Sequence, residues 1–150
     1  MGISKRLGDV LGNAVEAKLL REVKIHPDKI NHLAIIMDGN RRFAWSKALE
    51  TDIGHKMGKM KLEQVLDWVL ELEIHYFTVY ALSTENLNRP AGELDGLFKL
   101  YIEGLKDIAD DPRIHDNGVK VQIIGKRELL PDSVNAAIDY AEEKTAHYDK

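Results

Sequence analysis

The sequence predicts an α/β domain, a parallel β-sheet flanked by helices. Three observations lead there. Two short runs, 33–37 and 75–83, are rich in β-branched or aromatic residues, and each ends in a polar cluster. Segments with apolar residues at helical spacing separate these runs from each other and from a third, 119–124. Strands and helices alternating in this way indicate parallel pairing through right-handed crossovers.

Size and composition set the outer limits. At 150 residues the chain suits one domain with its own core, read as 1–150, with a helix over 1–25 and the α/β body over 32–150. It is 44% hydrophobic and 31% charged with a formal net charge of −4, an ordinary globular balance that argues against broad nucleic-acid binding. There are no cysteines, which excludes disulfides and thiolate metal sites. No apolar run has the length of a membrane span, and the start lacks a signal-peptide core. Met1-Gly2 resembles a myristoylation start, but Arg6 stands where that motif needs Ser or Thr. A cytoplasmic placement fits these features.

Residues 3 to about 25 read as an amphipathic helix. Leu7, Val10, Leu11, Ala14 and Val15 form the stripe, with Lys5, Arg6, Lys18, Arg21 and Lys24 outside it. Such a basic helix suits a membrane surface or its own domain, and the second is the expectation here. His26-Pro27-Asp28 ends it. The run 33–37 follows, read as a strand buried on both faces. Residues 43–54 read as irregular, a short helix or a mobile loop, and a strong helix opens at Gly54. Its apolar face is Gly58, Leu62, Val65, Leu66, Val69 and Leu72, with Gly58 permitting close approach to the sheet. The second strand covers 75–83. Pro90, Glu93 and Asp95 then suit a helix start. Leu94, Leu97, Phe98, Tyr101, Leu105 and Ile108 form its stripe, and Pro112 closes it. A third strand over 119–124 and a last helix around Val134, Ala137, Ile138 and Ala141 complete the reading.

The polar ends of the first two strands carry the chemistry. In α/β folds, ligands bind in the crevice beyond the carboxyl ends of the strands. The first strand ends in Asp38-Gly39-Asn40-Arg41-Arg42. Gly39 lets the backbone turn, and arginine is the side chain best shaped to grip phosphate oxygens by paired bonds. Asp38 would repel a phosphate unless a cation lay between them, and Mg2+ commonly binds through one carboxylate plus substrate phosphates. Asp-Gly is also an ordinary turn former that needs no ligand. A phosphatase with a nucleophilic Asp on this strand is disfavoured, because Ile36 stands where that Asp belongs. The second strand adds Ser83, Asn86 and Arg89, and His55 opens the helix between the strands. Each has a plain alternative: His55 as a helix-start hydrogen bonder, Ser83 or Thr84 as a cap, Asn86 and Arg89 as loop anchors. A charged head site beside apolar helix faces suits an amphiphile with a diphosphate head and a hydrocarbon tail. Those faces are core first and a channel for such a tail second.

Three stretches together resemble the cis-prenyltransferases, the undecaprenyl and dehydrodolichyl diphosphate synthases. They are Ile-Met-Asp-Gly-Asn-Arg-Arg at 36–42, Gly-His-x-x-Gly at 54–58, and Tyr-Ala-Leu-Ser-Thr-Glu-Asn-Leu-Asn-Arg-Pro at 80–90. Order and spacing match from about residue 32 onward, and Arg41-Arg42 is closer to archaeal and eukaryotic members than to most bacterial ones. The resemblance implies Mg2+-dependent condensation of isopentenyl diphosphate with an allylic prenyl diphosphate, giving a polyprenyl diphosphate, the precursor of a lipid carrier.

By position, Asp38 matches the catalytic Asp that handles metal and diphosphate. Gly39, Asn40, Arg41 and Arg42 match the loop and helix start that hold the allylic diphosphate. Phe43, in place of the usual Trp or Tyr, would contact the prenyl chain. His55 matches a His near the diphosphates, and Ser83, Thr84 and Glu85 match the second strand-end loop. Asn86 matches a residue assigned to proton removal, and Arg89 a positioning Arg. An amide is a poor base, so the expectation for Asn86 is to orient substrate or a relay, with a diphosphate oxygen as the other acceptor.

The resemblance also implies a homodimer at full length and a peripheral membrane contact for product release. Two departures stand out. Thr51 replaces an Arg common in bacterial members. The family's C-terminal portion, with its Arg-x-Gly-Gly-Glu-x-Arg-x-Ser type motif and isopentenyl diphosphate site, is not in these 150 residues. The alternative reading is therefore a non-catalytic prenyl-diphosphate-binding fragment or subunit.

Overall fold

A computed structural model describes residues 3–149, with side chains from Ala14 onward. Helix α1 covers Ile3–Ile25, strand β1 His32–Ile36, α2 Asn40–Ser46 and α3 Thr51–Glu71. Strand β2 covers Tyr76–Tyr80, and a 3-10 turn covers Thr84–Asn88. Helices α4 (Ala91–Asp110), α5 (Pro112–Asp116) and α6 (Asp132–Thr145) follow. A second 3-10 turn lies at Arg127–Leu129.

The two strands pair in parallel, His32 opposite Tyr76 through Ile36 opposite Tyr80. Their carboxyl ends therefore lie at one edge, as the crossover through α3 requires. The expectation of a strand buried on both faces is corrected. Leu33, Ile35, Phe77 and Val79 turn inward, whereas Ala34, Ile36, Tyr76 and Tyr80 are exposed, Ile36 at 73%. Side chains alternate along a strand, and among the described residues only one face of this sheet is covered.

The expected third strand is also corrected. The sheet of the described residues has two strands, and 119–124 carries no strand pairing. Its amides turn to helix side chains instead: Val121 N donates to Thr145 Oγ1 at 3.0 Å and Ile123 N to Glu142 Oε1 at 2.7 Å. A strand requires a neighbouring backbone, and α6 offers its donors a substitute.

Residues 43–54, read as a short helix or a mobile loop, are mostly helical, the first of those two options. α2 holds Phe43 to Ser46, and α3 begins at Thr51, ahead of Gly54. Pro112 starts α5 in addition to following α4, and Asp111 caps it by accepting from Arg113 N at 2.8 Å. The main core lies where α4, α5 and α6 meet: Leu97, Ala109, Ile114, Val134, Ala137, Ile138 and Ala141 are buried.

The described part of α1 meets the rest of the chain near its C-terminal end. Leu20 and Lys24 are half-buried, and Lys24 Nζ pairs with Glu73 Oε1 at 3.2 Å. Ala14, Val15, Leu19 and Val23 are exposed. Lys5, Arg6, Leu7, Val10 and Leu11 lie outside the described side chains.

Candidate active site

The strand-end edge is built by two turns. After β1, Met37 N extends the ladder by donating to Tyr80 O at 3.1 Å. Gly39 then takes φ +88°, a left-handed conformation that favours glycine, and Phe43 N donates to Gly39 O at 2.8 Å to begin α2. Asp38 is placed outward with a side chain 75% exposed. Its Oδ1 accepts from Gly39 N at 2.6 Å and its Oδ2 from Arg42 Nη2 at 2.8 Å.

α2 is held on α3 by the glycines of the 54–58 stretch. A Cβ on Gly54 would fall against the Asn40 carbonyl oxygen and 2.9 Å from Ala44 Cβ. One on Gly58 would fall 2.6 Å from Asn40 Oδ1 and 2.8 Å from Asn40 Nδ2. Gly58 thus makes room for the Asn40 amide and not, as expected, for the sheet. Asn40 is placed over α3, with Arg41 following it toward α4.

The second turn holds itself with one side-chain and one backbone hydrogen bond. Ser83 N donates to Asn86 Oδ1 at 3.1 Å, and Asn86 N to Ser83 O at 3.0 Å. The Asn86 amide oxygen is thereby engaged, which leaves its Nδ2 as the group free of a protein partner among the described residues. Tyr101 anchors the same turn from α4 by donating to Ala81 O at 2.7 Å. Burial pushes its phenol up to about 12, so it stays protonated, although nearby Arg89 opposes the shift. Thr84 and Glu85 are exposed and make no side-chain hydrogen bond among the described residues, and Phe43 is 42% exposed.

One residue that sequence reasoning placed only as a helix-start acid joins three of the stretches. Glu93 Oε1 lies 3.2 Å from Arg89 Nη1, 3.4 Å from Arg41 Nε and 3.6 Å from His55 Nε2. The Glu93 side chain is 12% exposed and that of His55 8%. Only the Arg89 contact has full hydrogen-bond geometry; Arg41 Nε and His55 Nε2 are buried without a hydrogen-bond partner. Burial is the main cause holding the His55 pKa below its ordinary value, against the opposing pull of Glu93. Arg41 is further steadied by Trp45, whose ring centroid is 5.1 Å from its guanidinium carbon.

The structure therefore brings Arg41, His55 and Arg89 together around Glu93. Asp38 and Arg42 form a separate, exposed pair at the same edge, with no hydrogen bond or ion pair to that cluster among the described residues. Glu93 lies one turn beyond Arg89, at i+4, and that spacing was the signal available in the sequence.

The chain matches the Prenyltransf family model, described as undecaprenyl diphosphate synthase, over residues 36–150. The tritrans,polycis-undecaprenyl-diphosphate synthase (geranylgeranyl-diphosphate specific) of Picrophilus torridus is 43% identical over 139 residues, covering 93% of this chain and 54% of the relative. The protein of the same name from Methanopyrus kandleri is 49% identical over 128 residues, covering 85% and 47%. The chain spans about half the length of the curated relatives it matches. Among solved structures, lavandulyl diphosphate synthase from Lavandula x intermedia, in complex with dimethylallyl diphosphate, superposes with a TM-score of 0.70. It is 30% identical, with 79% of this chain and 50% of that chain covered.

Proposed function

Because this chain belongs to the undecaprenyl diphosphate synthase family of prenyltransferases, we propose that it carries the allylic-diphosphate site of a cis-prenyltransferase. The observation that carries this reading is the shared edge of β1 and β2, where Asp38, Arg41, Arg42 and Arg89 are placed. Arginines at a strand-end crevice suit a diphosphate, and the lavender relative is described in complex with dimethylallyl diphosphate.

The donor set also fits Mg2+. Asp38 is an exposed carboxylate, and each of its oxygens, already bonded once, retains a further acceptor site. No group of three His, Asp or Glu residues able to hold a metal occurs among the described residues. Asp38 would therefore hold Mg2+ together with substrate phosphates and water. When bound, the ion supplies charge neutralisation for the departing diphosphate.

The protein's own groups have the remaining work. Arg41, Arg42 and Arg89 hold the diphosphate, and Gly39 and Asn40 shape the turn around it. The allylic C–O bond breaks, and its electron pair leaves with the diphosphate. The isopentenyl double bond supplies the electrons of the new C–C bond, and a proton then departs. Arginines preorganised at the leaving group stabilise the charge that develops there. The Asn86 oxygen is engaged with Ser83 N, so Asn86 orients the loop or substrate through Nδ2, and a diphosphate oxygen takes the proton. Phe43 lies exposed on α2, suited to contact a prenyl chain.

A second reading is favoured by the half-length match: a prenyl-diphosphate-binding portion that needs a further portion for turnover. The test is condensation of labelled isopentenyl diphosphate with farnesyl or geranylgeranyl diphosphate and Mg2+, comparing the chain with Asp38→Ala. Elongation that is lost in Asp38→Ala supports the enzyme. Starter binding without elongation supports the second reading, and absence of both refutes the site.

A further inference from the structure

An acid at the centre of an anion site calls for an explanation. Arg41 and Arg89 repel one another, and two arginines with flexible stems would separate in the absence of a counter-charge. Glu93 Oε1 faces Nε of Arg41 at 3.4 Å and Nη1 of Arg89 at 3.2 Å. It accepts a hydrogen bond from one edge of the Arg89 guanidinium and lies within ion-pair distance of Nε of Arg41. The two Nη groups of Arg41, and Nε and Nη2 of Arg89, have no protein hydrogen-bond partner among the described residues. The Trp45 ring lies against the Arg41 guanidinium, and buried His55 closes the cluster at 3.6 Å. Glu93 is on α4, Arg41 on α2, His55 on α3 and Arg89 in the turn after β2, so one carboxylate ties four segments.

We propose that Glu93 is the positioning residue of this site: its Oε1 holds Arg41 and Arg89 side by side, with their outer N–H groups set for a diphosphate before it arrives. The proposal rests on the allylic-diphosphate reading above. Its consequence runs against simple electrostatics. Removing a negative charge from beside an anion site should tighten anion binding; removing a residue that orients the anion's donors should weaken it.

The experiment is calorimetric titration of inorganic diphosphate, and separately of dimethylallyl diphosphate, each with Mg2+. The protein is the full 150-residue chain and its Glu93→Gln and Glu93→Asp variants, with melting curves recorded for all three. Glu93→Gln, isosteric but uncharged, should weaken both ligands about tenfold, the scale of one charge-assisted hydrogen bond. Glu93→Asp keeps the charge, protects the fold, and withdraws the oxygen by one methylene. It should weaken binding by about threefold on the same scale.

Unchanged or tighter binding by either folded variant overturns the positioning role while leaving the anion site in place. Should Glu93→Gln not fold, Glu93→Asp decides the matter alone. Failure of the unaltered chain to bind either ligand refutes the allylic-diphosphate reading and the positioning role with it.

Discussion

Gly54→Ala is the sharpest test of how the chain delivers its arginines to the strand edge. In an open helix this substitution stabilises by about 1 kcal/mol, because alanine loses less backbone entropy than glycine. Here the new methyl would meet the Asn40 carbonyl oxygen and lie 2.9 Å from Ala44 Cβ, in a contact where Ala44 is fully buried. Neither neighbour is the flexible end of a side chain, so relief requires α2 to move as a body. Overpacking of that kind costs about 1–3 kcal/mol, and more where backbone is the obstacle. The net expectation is a loss of about 1–2 kcal/mol, or a fall in melting temperature of about 2–8 °C for a chain of this size. Since α2 carries Arg41 and Arg42, diphosphate affinity should fall in the same variant. Gly58→Ala is the internal control: the three atoms nearest its methyl all belong to the Asn40 side-chain amide, which can rotate. A displaced rotamer costs about 0.5–1.5 kcal/mol, near the helix gain, so stability should stay about level. Urea denaturation and melting curves of both variants decide the matter. A Gly54→Ala protein that melts at or above the unaltered chain would refute the close-packing account of the 54–58 stretch.

Three further outcomes follow from single contacts. Thr145→Val should cost about 1–3 kcal/mol and speed hydrogen exchange at the Val121 amide, since buried Thr145 accepts from Val121 N at 3.0 Å; unchanged exchange would show that the amide has another acceptor. Burial holds His55 below its ordinary pKa of 6.5, so the unfolded chain takes up a proton first as pH falls. The stability from neutral His55 is thus complete above about pH 6.5 and is lost from there down through its lowered folded value. Urea denaturation across that window should show a steeper loss in the unaltered chain than in His55→Gln, and equal slopes would contradict the assignment. Asp111→Ala removes the α5 cap and should cost about 1 kcal/mol. The hydrogen bond from Arg113 holds the Asp111 carboxyl below its ordinary 3.8. Its share of stability is therefore present above that value and fades as pH falls through the lowered folded one, a loss the variant should lack in an acid titration.

What the sequence made legible, and what it hid, follows from whether a residue's role is set locally. β1 and β2 were readable because their composition and the helix between them leave parallel pairing as the simple solution, and the polar turns at their ends then share an edge without further information. Whether a strand is covered is not local. Leu33 and Ile36 look alike in the sequence, yet one turns inward and the other is exposed, because coverage depends on which faces other elements reach. The stretch 119–124 fails for a related reason: its pattern is strand-like, but a strand exists only where a second backbone takes its amides, and Thr145 and Glu142 take them here. α2 was legible only as one of two options, a short helix or a loop, because seven residues carry too little periodicity to decide, although Gly39 before it and Gly54 beneath it are the two features it needs. Glu93 is the most instructive case. An acid in the first turn of a helix is commonplace and has a sufficient local reason in the helix dipole. Its distinctive property, one oxygen facing three basic groups from three other segments, arises only after α2, α3 and the turn after β2 have been brought together. A residue that organises a site can thus be the least conspicuous part of it in the sequence, because its partners are assembled by the fold and not by the motif.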